Sequence, residues 1–361
     1  MSILENIISL KNEYHNGYKY KKLNLFGIRI KHKYGDQFFD EKQKIDQIRN
    51  NFTFDINKFS KKYKTNKIYP FLMKHIEHID EINEFLYSKL SYVDKKTFME
   101  FLFKRYAQVE VISDKEKQEL DEIFKQVDKL LLTRKSIYEP VEIESDIFDG
   151  GKKIIKFITG LENTEKIGEI CACYNIVHSF ILNEYYLDDF LPENRGAILD
   201  CGAAMGDTAI VFANQYPNSK IYSFECLDEM STLLKKNLEL NNINNVIVVK
   251  TFLNSKSGTI TIDNIEQNAV SIDDYVKENN INDVSLIKFD IEGAEMNALK
   301  GAINTIKKQK PLLYIPIYHL ESDIYEIPKF INDLGLETKF RLKWVEKRIW
   351  GVDCVLFCKF I

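Results

Sequence analysis

Ile198–Thr208 combines an apolar run, a D-x-G-x-x-x-G turn and the start of a predicted helix. Gly202 lets the backbone bend where the run ends and lets a ligand approach without a β-carbon in the way, and Gly206 permits close packing of helix on strand. The free amides at the helix start, at Asp207 and Thr208, favour a negatively charged group such as a carboxylate. The turn therefore predicts recognition of a nucleotide-like ligand that carries an anionic group.

A carboxylate follows the next apolar run at a spacing that suits a ribose. Glu225 comes directly after Ile221–Phe224, 25 residues after Asp200. One carboxylate at this point accepts hydrogen bonds from both ribose hydroxyls. A packed βαβ unit without a ligand has no need of an acid where its second strand leaves the sheet, so the turn and the acid together predict nucleotide-type binding.

The turn differs from the motifs of two other nucleotide-binding classes. Ala204 occupies the second glycine position of G-x-G-x-x-G, so the pyrophosphate of a dinucleotide would find less room. The phosphate loop G-x-x-x-x-G-K-[ST] is absent from the sequence. An NAD-dependent sugar dehydrogenase or epimerase is therefore the less favoured alternative.

These residues require a sheet that brings them to one edge. From Ala197 onward, apolar segments alternate with helical ones, which predicts a parallel sheet with helices on both faces. Residues 338–346 and 352–360 have no helix between them and predict an antiparallel hairpin. This α/β arrangement is that of the class I methyltransferase, or Rossmann-like, sheet. The predicted strands are 197–201, 220–225, 245–250, 284–289 and 312–318, and the predicted helices are 206–216, 228–241, 271–279, 293–308 and 322–334.

Residues 1–150 have a different character and predict a mainly helical region of unknown role. Helical segments lie near 41–50, 81–108 and 114–133, and Ser113 with Glu116 forms a capping-box pattern before the last of them. A short strand pair is predicted around a glycine at 23–31, a hairpin-like segment at 258–263 and a further helix at 164–184. Asp149–Gly151 marks the predicted boundary to a ligand-binding domain at 151–361.

The C-terminal part of the chain, from about residue 175 to 361, resembles the FkbM family of methyltransferases. The most specific segment is Lys288–Glu295, which is similar to the family signature K-I-D-x-E-G-x-E. Cys226 departs from the family pattern, which usually has proline there. The other segments that carry the resemblance are Glu184–Tyr186, Asp200–Thr208, Phe224–Glu225, Ser271–Tyr275, Leu299–Ala302, Tyr318–His319 and Glu326–Pro328.

The resemblance implies methyl transfer from S-adenosyl-L-methionine to a hydroxyl, with S-adenosyl-L-homocysteine as product. The acceptor would be a saccharide or a related precursor of a surface polysaccharide or secondary metabolite. We expect Tyr186, Glu292 and Glu295 to contact this acceptor, although acids in the first turn of a helix also stabilise its dipole without any ligand. The expected cofactor contacts are Asp200, Gly202, Ala203, Gly206, Asp207, Thr208 and Glu225.

Methyl transfer to a hydroxyl needs alignment with the sulfonium and a group that removes the proton. Asp290 and His319 follow the fourth and fifth strands of the predicted sheet and are the predicted catalytic residues. An unperturbed imidazole pKa of about 6.5 suits His319 as the general base, and a histidine that only binds substrate is the alternative. A divalent cation held by Asp290, Glu292 and His319 is a further alternative that we do not favour, so we predict no metal.

Composition restricts the partners and the compartment. Fifty basic and 54 acidic residues give a net charge of −4, which provides no reason to expect a nucleic-acid partner. No run of about 18 apolar residues predicts a membrane span, and the start lacks the pattern of a secretory signal, so we predict a cytoplasmic protein with cysteines in the reduced state. A homo-oligomer, and a catalytically silent domain that binds partners through its helical half, are open alternatives.

Overall fold

The computed structural model describes residues 8–15, 18–25, 28–33, 51–148, 150–161, 169–262, 265–348 and 352–361. The chain divides into two compact units, residues 1–57 and 58–361. The first unit contains an antiparallel sheet of β1 (Ile8–His15), β2 (Tyr18–Leu25) and β3 (Ile28–Lys33) in the order β1-β2-β3. The pairing of β2 with β3 confirms the strand pair predicted at 23–31. The helix predicted at 41–50 lies outside the described residues.

Helices dominate residues 51–133, as predicted. Ser113 Oγ accepts a hydrogen bond from the Glu116 amide at 3.2 Å, and the Glu116 carboxylate accepts one from the Ser113 amide at 2.8 Å, which confirms the capping box. The segment predicted at 81–108 is broken before Ser91, whose hydroxyl caps the next helix by accepting from the Asp94 amide. The helices are α1 (Asn51–Tyr63), α2 (Tyr69–Lys74), α3 (Tyr92–Ala107) and α4 (Asp114–Thr133), with short helical turns at Ile79–Glu81, Ile82–Leu86 and Tyr87–Lys89.

A hairpin that the sequence did not predict follows α4. Strands β4 (Val141–Ser145) and β5 (Lys153–Phe157) pair across the turn that contains Gly150 and Gly151, the glycines of the predicted domain boundary. The hairpin is joined to the rest of the unit by Asn237, whose side chain accepts from the Ile158 amide at 2.8 Å and donates to the Ile158 carbonyl at 3.0 Å. The strands on the two sides of the boundary are therefore paired with each other.

The main sheet has seven strands in the order β14-β15-β13-β12-β6-β7-β8. The five strands from β13 to β8 are parallel, and β15 runs antiparallel to both of its neighbours. This topology confirms the predicted class I methyltransferase sheet with its C-terminal hairpin. The strands are β6 (Ala197–Cys201), β7 (Lys220–Phe224), β8 (Val246–Val249), β12 (Val284–Phe289), β13 (Leu312–Pro316), β14 (Thr338–Trp344) and β15 (Cys354–Phe360).

Helices connect the parallel strands and cover the sheet. The helix predicted at 293–308 is interrupted at Gly301, whose carbonyl accepts a hydrogen bond from the Asp273 amide at 2.7 Å. A β-carbon at Gly301 would lie 2.3 Å from the Asn254 carbonyl oxygen, so only glycine fits there. The helices are α5 (Glu169–Phe180), α6 (Asp207–Gln215), α7 (Asp228–Leu240), α8 (Ile272–Glu278), α9 (Glu295–Lys300), α10 (Ile303–Gln309) and α11 (Asp323–Asp333). A 3₁₀ turn lies at Asp188–Phe190. In the described part of the chain, no helix is both long and apolar enough to cross a bilayer.

Two smaller features complete the second unit. Strands β9 (Phe252–Leu253), β10 (Gly258–Ile262) and β11 (Ile265–Val270) form a small sheet where the sequence predicted only a hairpin-like segment. Helix α3 packs along the outer strand β14. Asp94 accepts hydrogen bonds from the Leu342 amide at 3.1 Å and from Arg341 Nε at 2.8 Å.

Candidate functional site

A cavity of about 670 Å³ lies at the carboxyl ends of β6, β7, β12 and β13. Its volume is within the range of sites that enclose small molecules. The turn after β6, the end of β7 and the segment after β12 contribute to its wall, together with α5 and the loop before β15. This is the edge of the sheet at which the sequence predicted the ligand.

The turn after β6 depends on two glycines with positive φ, +82° at Gly202 and +93° at Gly206. A β-carbon on Gly202 would lie 1.8 Å from the carbonyl oxygen of Asp290, and one on Gly206 would lie 2.5 Å from Leu234 of α7. Only glycine therefore fits at the first position without moving backbone. Gly202 lines the cavity, whereas Ala203 and Gly206 shape the turn behind it.

A buried ion pair between Lys288 and Asp200 contacts the Gly202 turn. Asp200 is fully buried and accepts from the Thr208 hydroxyl at 3.0 Å. Lys288 Nζ lies 3.2 Å from Asp200 Oδ1 and donates to the Gly202 carbonyl at 2.7 Å. Burial lowers the pKa of Lys288, but the carboxylates of Asp200 and Asp290 outweigh it and raise the pKa, so the ammonium is charged. Asp200 does not line the cavity, whereas Lys288 and Thr208 do.

Sequence reasoning missed Lys288 as a charged group of the site, although the residue was part of the family signature. Its position in an otherwise apolar run, Val284–Phe289, was the available signal. A lysine is rarely buried in a strand unless an acid pairs with it.

The Glu225 carboxylate lines the cavity and clamps the turn. Its two oxygens accept from the Ala204 amide at 2.9 Å and from the Leu227 amide at 2.8 Å. Asp207 also lines the cavity at the start of α6. Burial raises the pKa of Asp207 to about 6, although a hydrogen bond from the Ser179 hydroxyl opposes the shift.

A second set of polar groups lies at the ends of β12 and β13. Glu295 is fully buried, and its carboxylate lies 2.8 Å from His319 Nδ1 and accepts from the Ile291 amide at 2.9 Å. His319 Nε2 lies 3.5 Å from Asp290 Oδ1 and 3.5 Å from Glu292 Oε2. Burial lowers the pKa of His319, but the hydrogen bond to Glu295 outweighs it, and the pKa is raised above its ordinary value.

The pKa of the Glu295 carboxyl shifts in the opposite direction. Burial raises its pKa, but the hydrogen bond and charge of His319 outweigh burial and lower it. The two side chains therefore form an imidazolium–carboxylate pair below the pKa of His319. On the cavity side, Asp290 accepts a hydrogen bond from the Tyr185 hydroxyl at 2.8 Å.

The predicted site residues fall into two groups in the structure. Gly202, Asp207, Thr208, Glu225, Asp290 and Glu292 line the cavity, whereas Asp200, Ala203, Gly206, Tyr186, Glu295 and His319 do not. The neighbours of Tyr186, Glu184 and Tyr185, line the cavity in its place, and the Tyr186 carbonyl accepts from Lys343 Nζ at 2.8 Å. The functional roles assigned to all of these residues stay predictions.

Among the described residues, two sets of three side chains have their ligating atoms within 4.8 Å of one another. The first is Asp290, Glu295 and His319, which differs from the set considered as a less favoured metal alternative by Glu295 in place of Glu292. The second set, which sequence reasoning missed, consists of His178, Glu184 and Asp353. Asp353 lies 169 residues beyond Glu184 in the chain, so no local spacing could have revealed the set.

Residues 200–338 match the family model described as the methyltransferase FkbM domain, which confirms the resemblance predicted from the sequence. No curated protein sequence matches the chain.

Among solved structures, the methyltransferase FkbM from Methylobacillus flagellatus KT is 17% identical, with 66% of this chain and 59% of that chain covered and a TM-score of 0.37. A SAM-dependent methyltransferase from Aquifex aeolicus is 17% identical over 52% of this chain and 93% of its own, with a TM-score of 0.36. Precorrin-6y C5,15-methyltransferase from Geobacter metallireducens GS-15 is 13% identical, with 46% of this chain and 80% of that chain covered and a TM-score of 0.33. The chain thus spans less than two thirds of the length of the first of these proteins.

Proposed function

We propose that the protein transfers a methyl group from S-adenosylmethionine to a hydroxyl of a saccharide or related precursor, because residues 200–338 match the methyltransferase FkbM domain. The observation that carries this proposal is the cavity, which joins the Gly202 turn and Glu225 to Asp290 at neighbouring strand ends. The Gly202 turn and Glu225 suit the cofactor, and Asp290 suits an acceptor hydroxyl that must lose its proton. The saccharide class rests on the family resemblance.

The residues present fit the cofactor. Gly202 lines the cavity, and the lack of a β-carbon lets its backbone pack directly against the Asp290 carbonyl, which keeps the turn at the cavity wall. Glu225 would bind the ribose hydroxyls while it keeps the Ala204 amide in place. Asp207, whose pKa of about 6 lies below neutrality, suits the ammonium of the amino-acid moiety. When bound, the cofactor supplies an electrophilic methyl group on sulfur.

The protein residues align the acceptor and remove its proton. Asp290 faces the cavity, and the Tyr185 hydroxyl fixes one of its oxygens. We assign Asp290 as the residue that accepts a hydrogen bond from the acceptor hydroxyl. We assign His319 as the base that receives the proton through this carboxylate, because His319 Nε2 lies 3.5 Å from Asp290 Oδ1. Glu295 orients the imidazole by holding Nδ1. Glu295 is thus a positioning residue rather than an acceptor contact.

Calorimetry and turnover assays test this proposal together. The protein should bind S-adenosylhomocysteine and should give no binding heat with NAD or NADP, whereas the reverse result would identify a nicotinamide enzyme. A panel of saccharides and nucleotide sugars is then assayed for methyl transfer. Binding of S-adenosylhomocysteine without turnover on any acceptor would favour a silent interaction domain.

A substitution separates binding from chemistry. His319→Ala should leave the dissociation constant of S-adenosylhomocysteine unchanged and lower kcat by about 10²–10⁴-fold, the usual contribution of a general base. The matched control is His78→Ala, which removes a half-exposed histidine outside the cavity lining and should keep full activity. Full turnover by the His319→Ala variant would show that the base is assigned to the wrong residue.

A further inference from the structure

Another group of ligating side chains lies in the wall of the same cavity. His178 comes from α5, Glu184 from the turn that follows it, and Asp353 from the residue before β15. His178 Nδ1 lies 3.8 Å from Glu184 Oε2 and 3.7 Å from Asp353 Oδ2. Three separate segments of the chain therefore bring one imidazole and two carboxylates to one point.

The group is buried and places two carboxyl groups beside one imidazole. The side chains of His178, Glu184 and Asp353 are 6%, 9% and 13% exposed. Among the residues that the structure describes, the only ion-pair partner of either acid is His178. Two carboxylates at this depth are costly unless a cation or a proton compensates them.

The basic side chains nearby are engaged elsewhere. Lys343 Nζ donates to the carbonyl oxygens of Asn183 and Tyr186, at 2.6 and 2.8 Å. Arg348 pairs with Glu346 at 2.7 Å and with Asp121 at 2.8 Å. Neither cation therefore contacts the two acids of the cavity wall.

An unpartnered buried atom gives an independent indication of a ligand. Asp353 Oδ2, the oxygen that faces His178 Nδ1, is buried and has no hydrogen-bond partner. The His178 ring is itself held edge-on between Tyr174 and Phe124, with centroid distances of 5.0 and 6.1 Å. Buried polar atoms without partners are rare in folded proteins and call for an explanation.

We propose that His178, Glu184 and Asp353 form a binding site for a divalent first-row transition metal ion. Metal–ligand bonds of about 2.1 Å in a tetrahedral site put ligand atoms about 3.4 Å apart. The 3.7 and 3.8 Å from His178 to the two acids require a contraction of a few tenths of an ångström, and the ligating oxygens of Glu184 and Asp353 lie within 4.8 Å of each other. The imidazole favours ions such as Zn²⁺ or Fe²⁺ over Ca²⁺ or Mg²⁺, and the two carboxylates also suit Mn²⁺.

The site has open positions on the cavity side, because three protein ligands do not complete the coordination of such an ion. An oxygen atom of a small molecule in the cavity can therefore bind the metal directly. If the proposed methyl transfer takes place here, the ion would help to orient the acceptor. Metal binding itself does not depend on that reaction, so each proposal can fail without the other.

Titration of the full-length protein with Mn²⁺ after chelator treatment tests the site. Electron paramagnetic resonance of free Mn²⁺ should show one saturable site per chain, and S-adenosylhomocysteine should not displace the ion. Asp353→Asn and Glu184→Gln, which keep side-chain size, should weaken binding at least tenfold. Glu295→Gln and His319→Ala are the matched controls from the other side-chain set and should leave the Mn²⁺ affinity unchanged.

Several results would overturn the proposal. These are the absence of a saturable site, binding that persists in both test variants, binding that is lost only in the two control variants, and displacement of Mn²⁺ by S-adenosylhomocysteine. If the test variants do not fold, anomalous diffraction from a wild-type crystal soaked in Mn²⁺ decides the question. A peak among His178, Glu184 and Asp353 is expected, and its absence there contradicts the site.

Discussion

Replacing Lys288 by methionine tests the buried ion pair that supports the cofactor turn. Lys288 Nζ lies 3.2 Å from Asp200 and 2.7 Å from the Gly202 carbonyl oxygen, and both charged side chains are almost completely buried. Methionine fills a similar volume without a charge. The Asp200 carboxylate would keep the Thr208 and Ser223 hydroxyls as donors but would lose its cation.

The size of the effect follows from the geometry. Two unit charges 3.2 Å apart attract each other by about 5 kcal/mol at an effective dielectric constant of about 20. Breaking one partner of a buried pair typically destabilises a protein by about 3–5 kcal/mol. The unpaired Gly202 carbonyl adds about 1 kcal/mol. We therefore expect Lys288→Met to lower the free energy of unfolding by about 4–6 kcal/mol.

Urea unfolding followed by tryptophan fluorescence measures this loss, because Trp344 is buried in the second unit. Adding Asp200→Asn to Lys288→Met should recover about 2 kcal/mol, since the buried charge is then removed. The control Lys236→Met changes an exposed lysine of α7 and should alter stability by less than about 0.5 kcal/mol. A loss below about 1 kcal/mol for Lys288→Met, or no recovery in the double variant, would refute the reasoning.

Three further predictions concern the cavity. Because Glu295 raises the pKa of His319 against the effect of burial, kcat should increase with pH through an apparent pKa above 6.5, and Glu295→Gln should move this inflection to lower pH. The raised pKa also stabilises the fold below pH 6.5 and loses this effect as pH rises through the folded-state pKa, so Glu295→Gln should destabilise the protein more at pH 6 than at pH 9 in thermal unfolding. Gly202→Ala should lower the free energy of unfolding by about 2–5 kcal/mol and abolish S-adenosylhomocysteine binding in calorimetry, because the added β-carbon would meet the Asp290 carbonyl and the residue has a φ of +82°. An unchanged affinity for S-adenosylhomocysteine would contradict the tight packing of the Gly202 turn against Asp290. Glu225→Ala should raise the dissociation constant of S-adenosylhomocysteine at least about tenfold, since both its ribose contact and the clamp on Ala204 are lost; an unchanged constant would show that the ribose is bound elsewhere.

The sequence predicted best the elements whose signals are local. Strands β6 (Ala197–Cys201) and β12 (Val284–Phe289) have the predicted limits, because strands buried on both faces appear as continuous apolar runs. The start of α4 was also predicted, since the capping box is complete within Ser113–Glu116. The order of the strands followed from the alternation of apolar and helical segments.

Elements that depend on distant contacts were predicted poorly. The β4–β5 hairpin is short, and its glycines at 150 and 151 were interpreted as a boundary rather than as a turn. The interruption at Gly301 involves close contacts with the backbone at Asp273 and Asn254, which no helical periodicity can reveal. Tertiary packing determined both features.

The residues of the candidate site also differ in whether local sequence signals could reveal them. The turn at Gly202 and the acid at Glu225 come from one βαβ unit, so their spacing in the sequence carried the prediction. The pairing of Lys288 with Asp200, and the meeting of His178 with Asp353, join segments that only the folded chain brings together. The roles assigned to these side chains await the measurements described above.

The packing of α3 on β14 has a consequence for dissecting the protein. Asp94 occupies the Leu342 amide on the outer strand of the sheet, and Phe101 lies edge-on against Trp344 at a centroid distance of 5.7 Å. A fragment that starts at residue 151 would expose this strand and its apolar neighbours, and such bare edges promote self-association. Helix α3 thus covers the outer edge of the main sheet, and shortened versions of the protein should retain it.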